Sequence, residues 1–275
     1  MRKGIITIFL FMALFSLALG CCWAETIEFS IENSPYYVRQ DLVIKEGSIL
    51  TVEPGVIIEI AKDAGIIVEG RIDICGYPKG GEIIFKAKGP HKNYHKGFWQ
   101  GIVIKSKGKN LINYAIIQHS KTGIELIKGA SANITNNFIT QNKTGIKAER
   151  IKELSVARNS FLGNFTDIEL MDTIGLIEKN FFQGSLTCLK LKESYPGVTG
   201  NIFKQVHKNI IECDNEKDFF ASGNWWGASD RERIESLILR QGKGGVAFEP
   251  YLEKQPDLSE AGVDLKEDCA SCQEK

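Results

Sequence analysis

The segment TGIEL at Thr122–Leu126 recurs along the middle of the chain at an almost constant spacing, and this recurrence decides the fold. Its counterparts TGIKA, TDIEL, TCLKL and KNIIE begin 22, 22, 21 and 21 residues apart, at Thr144, Thr166, Thr187 and Lys208. An asparagine recurs in step, followed two positions later by a large apolar residue. The pairs are Asn137 with Ile139, Asn159 with Phe161, Asn180 with Phe182, Asn201 with Phe203, and Asn224 with Trp226. Such a period, with turn residues between short apolar runs, predicts a solenoid.

Each repeat alternates apolar and polar residues, which is the period of a strand with one buried face. In the first copy Ile124 and Leu126 flank Glu125. A second strand is predicted about ten residues later, centred on Ile134, Val156, Ile177, Val198 and Phe220. A repeat of 21 residues has no room for two helices, so we predict a parallel β-helix.

Stacking of the repeats gives the charged and amide residues a structural interpretation. Glu125, Lys147, Glu169 and Lys190 become lateral neighbours at about 4.8 Å with alternating sign, which is mildly favourable. We therefore interpret them as a ladder rather than as a site for polysaccharide chemistry. The five recurring asparagines suit one turn, where their amides can also bond to each other.

These repeats resemble those of the right-handed parallel β-helix proteins of bacterial cell envelopes, a group that includes the pectate-lyase-like fold. LVIKEGSILTVEPGVIIEI at 42–60 and GIIVEG at 65–70 resemble the first coils of that family. Trp99 with GIVI at 101–104 resembles its W-x-G-I coil, and NWWG at 224–227 with VAFEPYL at 246–252 resembles its closing cap. The resemblance implies an all-β chain in which residues 25–252 form one right-handed parallel β-helix with caps, including a short C-terminal capping helix.

The same resemblance leaves the activity open, because the group includes enzymes, adhesins and proteins without demonstrated chemistry. We expect a non-catalytic envelope protein that binds a glycan or a protein partner on its lateral surface or basic loop. The alternative is a polysaccharide lyase or glycoside hydrolase, which needs clustered or facing carboxylates. Asp167 with Asp172, and Asp214 with Glu216, have no basic partner at a persuasive spacing. The sequence assigns no catalytic residue, and we expect no cofactor or metal.

The clearest departure from the repeat is the segment KAKGPHKNYHKGF at 86–98, called the basic loop below. Insertions in solenoids leave the stack as loops, often on the binding face. Its positive charge and aromatic rings suit an anionic sugar or phosphate group, and a merely solvated loop is the alternative. A shared metal would need a helical turn between its two histidines, which Gly97 limits. The candidate binding residues are Lys88, His91, Lys92, Tyr94, His95 and Lys96.

Residues 1–24 predict an export signal, with Arg2 and Lys3 before an uncharged apolar run. LALGC at 17–21 resembles a lipobox, in which Cys21 would carry lipid, whereas cleavage after Ala24 would release a free protein. Both remain open, so we expect a periplasmic, outer-membrane lipoprotein or secreted location, with membrane contact only through that anchor. Without this leader the chain has 32 basic and 34 acidic residues, which does not suggest a nucleic-acid partner.

The C-terminal quarter predicts a cap and a tail. Residues 230–240 read as an amphipathic helix with Asp230 as its N-cap, and 253–275 as a flexible acidic tail. Trp225 and Trp226 are expected in the core. Cys269 and Cys272 suit a local disulfide or a free pair rather than zinc. The remaining cysteines are expected to be small buried residues, namely Cys75, Cys188 and Cys213.

Overall fold

The computed structural model describes residues 25–89 and 95–257. These residues form a parallel β-helix, as the repeats predict, and the structure shows eight coils with three strands each. Coils 1 to 4 contain β1 (Thr26–Phe29), a 3-10 helix (Ile31–Asn33), β2 (Tyr36–Val38), β3 (Leu42–Ile44), β4 (Ile49–Val52), β5 (Ile57–Ile60), β6 (Gly65–Val68), β7 (Arg71–Cys75), β8 (Ile83–Ala87), β9 (Gly101–Ile104), β10 (Asn110–Asn113), β11 (Ala115–Gln118) and β12 (Thr122–Leu126).

Coils 5 to 8 and the closing segment complete the chain. They contain β13 (Ala132–Thr135), β14 (Phe138–Thr140), β15 (Thr144–Glu149), β16 (Leu154–Ala157), β17 (Ser160–Leu162), β18 (Thr166–Met171), β19 (Gly175–Glu178), β20 (Phe181–Gln183), β21 (Thr187–Lys192), β22 (Gly197–Thr199), β23 (Ile202–Lys204), β24 (Asn209–Asp214), β25 (Phe219–Phe220), α1 (Arg231–Ser236), β26 (Ile238–Arg240) and β27 (Val246–Ala247).

Every third strand joins the same parallel sheet. Sheet 1 has the order β1-β4-β7-β10-β13-β16-β19-β22, and sheet 2 has the order β2-β5-β8-β11-β14-β17-β20-β23. Sheet 3 has the order β3-β6-β9-β12-β15-β18-β21-β24-β26. We call the turns from sheet 1 to 2, from 2 to 3 and from 3 to 1 the first, second and third corners.

The predicted register of the charged row is confirmed on the outer face of sheet 3. Glu125 pairs with Lys147, Lys147 with Glu169, and Glu169 with Lys190. The Lys147 ammonium lies 2.9 Å from Glu125, and the Lys190 ammonium lies 3.7 Å from Glu169. The fifth repeat begins at Asn209, one residue after the predicted start at Lys208, because Thr187 pairs with Asn209.

Each corner combines a left-handed backbone residue with an inward polar side chain. At the first corner Asn136 has a φ of 55°, and the next residue, Asn137, is buried. Its backbone N–H donates to Oδ1 of Asn159 at 2.9 Å, and the pattern continues through Asn180 and Asn201 to Asn224. The predicted asparagine ladder is therefore present, and it satisfies buried backbone groups that face no strand.

Two further ladders at the other corners were not predicted from the sequence. The second corner has Ser120, Asn142, Asn164 and Ser185, and the third has Thr173, Ser194 and Asn215. Left-handed residues precede them in the same way: His119, Gln141, Gly163 and Gly184 at the second corner, and Asp172 and Glu193 at the third.

The apolar positions after the first ladder form an aromatic stack inside the coils. Phe161, Phe182 and Phe203 follow each other with ring centroids 4.9 Å apart, and Trp226 lies 5.3 Å beyond Phe203. Trp226 is 1% exposed, as predicted. Trp225 is not in this stack: it is half-buried and packs against Phe181 and Ile202 on the outside of sheet 2.

The closing segment differs from the predicted helix in its length. Oδ1 of Asp230 accepts from the backbone N–H of Arg233 at 2.8 Å, which confirms the N-cap. The helix ends at Ser236, however, because residues 238–240 pair with β24 and extend sheet 3. Cys188 and Cys213 are buried and free, as predicted. The prediction was wrong for Cys75, which is exposed because it alternates with buried Ile74 at the end of β7.

Candidate functional site

The outer side of the second corner carries a row of lysine and apolar side chains that we call the basic corner. Its stacking follows from backbone hydrogen bonds between coils: Thr166 donates to the carbonyl of Lys143, Thr187 to that of Phe165, and Lys208 to that of Leu186. Phe165 is 45% exposed and Leu186 is 46% exposed, although both are large and apolar. The basic corner consists of Lys96, Lys121, Lys143, Phe165, Leu186 and Lys208.

The basic loop reaches this corner from coil 3. Backbone N–H groups of Gly97 and Phe98 donate to the carbonyls of Ser120 and His119 at 3.0 and 2.8 Å. Gly97 has a φ of 92°, and a Cβ there would lie 2.5 Å from Cε of Lys143. Glycine therefore lets the loop lie directly against the lysine row.

The predicted loop residues do not all lie together. The Lys96 ammonium lies 4.4 Å from the ring centre of Phe165. His95 is exposed and contacts Phe98 edge-on at 5.8 Å. Lys88 points the other way, with its ammonium 4.5 Å from the ring centre of Tyr37 in coil 1. His91, Lys92 and Tyr94 lie outside the described residues, so their part in a site stays a prediction.

The basic corner carries uncompensated positive charge. Within residues 25–89 and 95–257, neither Lys121 nor Lys143 forms an ion pair, and both are exposed. Lys208 differs, because its ammonium lies 3.1 Å from the Glu212 carboxylate. Lysines of the sheet 3 row are neutralised by neighbours, so the basic corner is the better place for an anionic ligand.

A buried carboxyl group lies beneath the basic corner. Asp167 occupies the place of Gly123 and Gly145 in the TGI segments, and it is 0% exposed. Its Oδ1 accepts from Asn164 Nδ2 at 2.8 Å and from Ser185 Oγ at 2.7 Å, two members of the second ladder. Within the described residues, no N–H or O–H group donates to its Oδ2.

Burial controls the ionisation of this group and of its neighbours. It raises the pKa of the Asp167 carboxyl to about 7, while hydrogen bonds from Asn164, Ser185 and the Cys188 thiol and the charge of Lys96 act in the opposite direction. Burial also lowers the pKa of Lys96, an effect that the Asp167 charge partly offsets. Burial raises the pKa of the Cys188 thiol, which occupies the same position one coil later, well above its ordinary value.

Of the acid pairs considered for polysaccharide chemistry, Asp167 and Asp172 do not face each other. Asp167 is inside the core, whereas Asp172 is exposed at the third corner. Glu216 pairs with Lys243 at 3.0 Å. In the part of the chain that the structure describes, no group of three or more His, Cys, Asp and Glu side chains is placed to hold a metal ion. In that same part no helix is long and apolar enough to cross a membrane, and the predicted lipid site at Cys21 lies outside it.

The sequence contained a signal for the basic corner that the repeat analysis did not use. Lys121, Lys143, Phe165 and Leu186 each directly precede the threonine that starts a repeat, so the repeat spacing already aligns them. The insertion at 86–98 breaks the repeat more visibly, but among the described residues it supplies only Lys96 to this row.

Comparisons with known proteins agree with the architecture. Residues 91–225 match the family described as "Right handed beta helix region". A 112-residue alignment with the protein named "Protein bark beetle" of Drosophila melanogaster is 27% identical and covers 30% of this chain and 4% of that protein. The chain thus spans a small fraction of that relative's length. No solved structure gives a significant match.

Proposed function

Because the chain is a right-handed parallel β-helix repeat protein, we propose that it is a non-catalytic binding scaffold that holds an acidic polysaccharide against the basic corner. The observation that carries this proposal is that Lys121 and Lys143 are exposed and form no ion pair within the described residues, beside exposed Phe165 and Leu186. The fold provides the row, since each coil repeats the same outward position.

The spacing of the row suits an extended polymer with repeated negative charge. Successive coils lie about 4.8 Å apart, so the corner from Lys121 to Lys208 spans about 19 Å. Lysine presents a point charge that pairs with carboxylate or sulfate groups without demanding one orientation. Phe165 adds a flat apolar surface on which one face of a sugar ring can rest.

The surroundings support binding rather than chemistry at this corner. The carboxyl of Asp167 is inside the core and cannot touch a polymer on the surface, and the carboxylate of Glu212 is paired with Lys208 at 3.1 Å. The outward acids of sheet 3 are engaged with lysines of the same row. A polymer bound here would therefore meet cations and apolar rings.

We also propose that the protein works outside the cytoplasm. The support is the pattern of Arg2, Lys3 and the following apolar run, together with Cys21 in a lipobox-like context. In an extracytoplasmic location the protein would have access to a cell-envelope polysaccharide.

The test is a titration with polygalacturonate, with neutral dextran as the comparison polymer. The double variant Lys121→Gln/Lys143→Gln should bind polygalacturonate about 2- to 30-fold more weakly, because exposed charge contacts contribute about 0.2–1 kcal/mol each. A matched control is Lys128→Gln/Lys152→Gln, which removes two exposed lysines from adjacent coils at the third corner. The control should bind like the wild type.

The dependence of the affinity for polygalacturonate on salt concentration provides a second measurement in the same experiment. Wild-type affinity should fall between low and physiological salt, because the screening length shortens to about 8 Å. Equal losses in both double variants, or affinity for dextran equal to that for polygalacturonate, would refute the basic corner as the site. Release of unsaturated or reducing ends during the incubation would favour the enzyme instead.

The basic loop is tested separately with the triple variant Lys88→Gln/Lys92→Gln/Lys96→Gln. If the loop takes part, this variant loses affinity for polygalacturonate and part of its salt dependence. Unchanged binding would remove the loop from the site and leave the lysines of the corner.

A further inference from the structure

Asp167 places a carboxyl group inside the protein at the second corner, beneath the exposed side chains of the basic corner. The residue follows Phe165 by two positions at the start of β18, yet its side chain is 0% exposed whereas Phe165 is 45% exposed. The two preceding repeats have Gly123 and Gly145 at this place, so those coils carry no carboxyl group there. A charge on Asp167 would therefore lie close to an anion bound at the corner, although the two could not touch.

The surroundings of this carboxyl group favour its neutral form. Oδ1 accepts from Asn164 Nδ2 at 2.8 Å and from Ser185 Oγ at 2.7 Å, while no N–H or O–H group of the described residues donates to Oδ2. Burial disfavours the charged form more strongly than these bonds favour it. The pKa of the group is accordingly raised to about 7, so its charge changes close to neutral pH.

The titratable groups that act on Asp167 come from β21 and from the basic loop. The Cys188 thiol of β21 donates to the carboxyl group, and burial raises the pKa of this thiol well above its ordinary value, so it stays neutral near pH 7. Lys96 of the basic loop acts through its positive charge. Lys96 is thus the group through which the ionisation of Asp167 can affect the surface.

Lys96 is held at the basic corner by its neighbours in the chain and by Phe165. The backbone N–H groups of Gly97 and Phe98 donate to carbonyls of coil 4, and the Lys96 ammonium lies 4.4 Å from the centre of the Phe165 ring. Burial lowers the pKa of this ammonium, and the charge of Asp167 raises it. An ionised Asp167 therefore attracts the ammonium inward, whereas a neutral Asp167 leaves it to an external anion.

We propose that Asp167 is a positioning residue that couples anion binding at the basic corner to the uptake of a proton. When Asp167 is neutral, the Lys96 ammonium pairs with a carboxylate of the polymer. When Asp167 is ionised, it retains that ammonium and adds a negative charge beneath Phe165, so the polymer binds more weakly. This inference rests on the proposed function, because it describes the regulation of the same site.

The direction of the effect follows from the linkage between proton and polymer. A bound anion favours the neutral form of Asp167, so the polymer raises the pKa of this group and its binding takes up protons. Two unit charges about 10 Å apart at an effective dielectric constant of about 20 change each other's binding by a factor of about 15, which salt reduces. We therefore expect the affinity to be highest below about pH 6 and to fall about 3- to 10-fold by pH 8.5.

The experiment measures the affinity of wild type and Asp167→Asn for polygalacturonate by calorimetry from pH 5.5 to 8.5, where carboxylates on the polymer stay ionised. Titrations in two buffers with different ionisation enthalpies also give the number of protons taken up. Near pH 7.5 the wild type should take up about 0.3–0.5 protons more than Asp167→Asn, and its affinity should fall about 3- to 10-fold more across the range. The histidines titrate in both proteins, so the comparison removes their contribution, and circular dichroism at each pH checks that both proteins are folded.

Two further variants test the route through Lys96. The affinities of Lys96→Gln and Lys96→Gln/Asp167→Asn should differ in their pH dependence by less than half as much as those of wild type and Asp167→Asn. The matched control is Asp172→Asn, which removes an exposed acid from the same coil and should keep the pH profile of the wild type. An undiminished difference without Lys96, or the same change of profile in Asp172→Asn, would overturn the proposal.

The failure of this inference can be told apart from the failure of the proposed function. Identical pH profiles and proton uptake in wild type and Asp167→Asn would refute the coupling, while a weakened Lys121→Gln/Lys143→Gln would still support binding at the basic corner. Absence of polygalacturonate binding by the wild type at every pH would instead refute the proposed function, and this inference with it.

Discussion

Replacement of Asp167 by Asn should change how the stability of the protein depends on pH. The carboxyl is 0% exposed and its pKa is raised to about 7 from an ordinary value of 3.8. Asn has nearly the same shape, and its Oδ1 can still accept from Asn164 and Ser185. The substitution thus removes the titration and retains the ladder contacts.

The sign and size follow from the two pKa values. Below about pH 4 the carboxyl is protonated in both the folded and the unfolded chain. Between pH 4 and 7 the unfolded chain releases the proton while the folded chain keeps it, so the free energy of unfolding falls with rising pH. A shift of one pKa unit corresponds to 1.36 kcal/mol, so the shift in Asp167 amounts to about 4 kcal/mol, lost in full above pH 7.

The assay is urea unfolding of wild type and Asp167→Asn from pH 4 to 8.5, followed by tryptophan fluorescence. The difference in unfolding free energy between the two proteins cancels the other titrating groups, and the change of this difference with pH does not contain the pH-independent cost of burying the amide. Relative to the wild type, the variant should become more stable by about 4 kcal/mol across this range. Asp172→Asn, an exposed acid in the same coil, is the control and should show almost no change. A difference that varies by less than about 1 kcal/mol for Asp167→Asn would contradict the argument.

Three further predictions concern the core, the ladder and the N-terminus. Phe182→Ala should lower the free energy of unfolding by about 3–5 kcal/mol, because the ring is buried between two others, whereas Phe220→Ala, at a 73% exposed position, should stay within about 0.5 kcal/mol. Urea unfolding would check both, and a loss below about 1 kcal/mol for the first would exclude core packing. Asn180→Ala should lower stability by at least about 2 kcal/mol in the same assay, since it removes the acceptor of Asn159 and the donor to a backbone carbonyl; a smaller loss would mean that water replaces the amide. Mass spectrometry of the mature protein should find lipidated Cys21 if the lipobox is used, and a free N-terminus at Glu25 would exclude it.

The sequence predicted the fold well because one period controls strands, corners and core. Glu125 and Lys147 pair as the spacing required, and the Asn137 column is a ladder because the same amide recurs in every coil. The other two ladders were not predicted because serine, threonine and asparagine share their positions, so no single residue type recurs in every coil. The predicted start of the fifth repeat, Lys208, is one residue early because one coil contains an extra residue at a corner. A constant repeat spacing does not reveal such an extra residue.

The candidate site was less predictable for physical reasons. Binding was expected at the basic loop because an insertion breaks the repeat visibly. Lys121 and Lys143 are 22 residues apart and become neighbours only when the coils are stacked in register. Asp167 was visible as an exception to the TGI pattern, but a strand pattern does not show whether a residue beside a corner faces the core or the solvent.

The ladders also determine how a chain of this kind can change its length. In each ladder the backbone N–H of one coil donates to the side chain of the next, and in the first ladder the partner is always an asparagine. Removal of one complete coil, such as the 21 residues from Ser160 to Asn180, would bring Asn159 next to a new neighbour, Asn201, with the same chemistry. Removal of a single residue would instead move three ladders and the core out of alignment at once. Duplication or loss of whole coils is therefore the step by which this architecture can be lengthened or shortened while both of its ends are preserved.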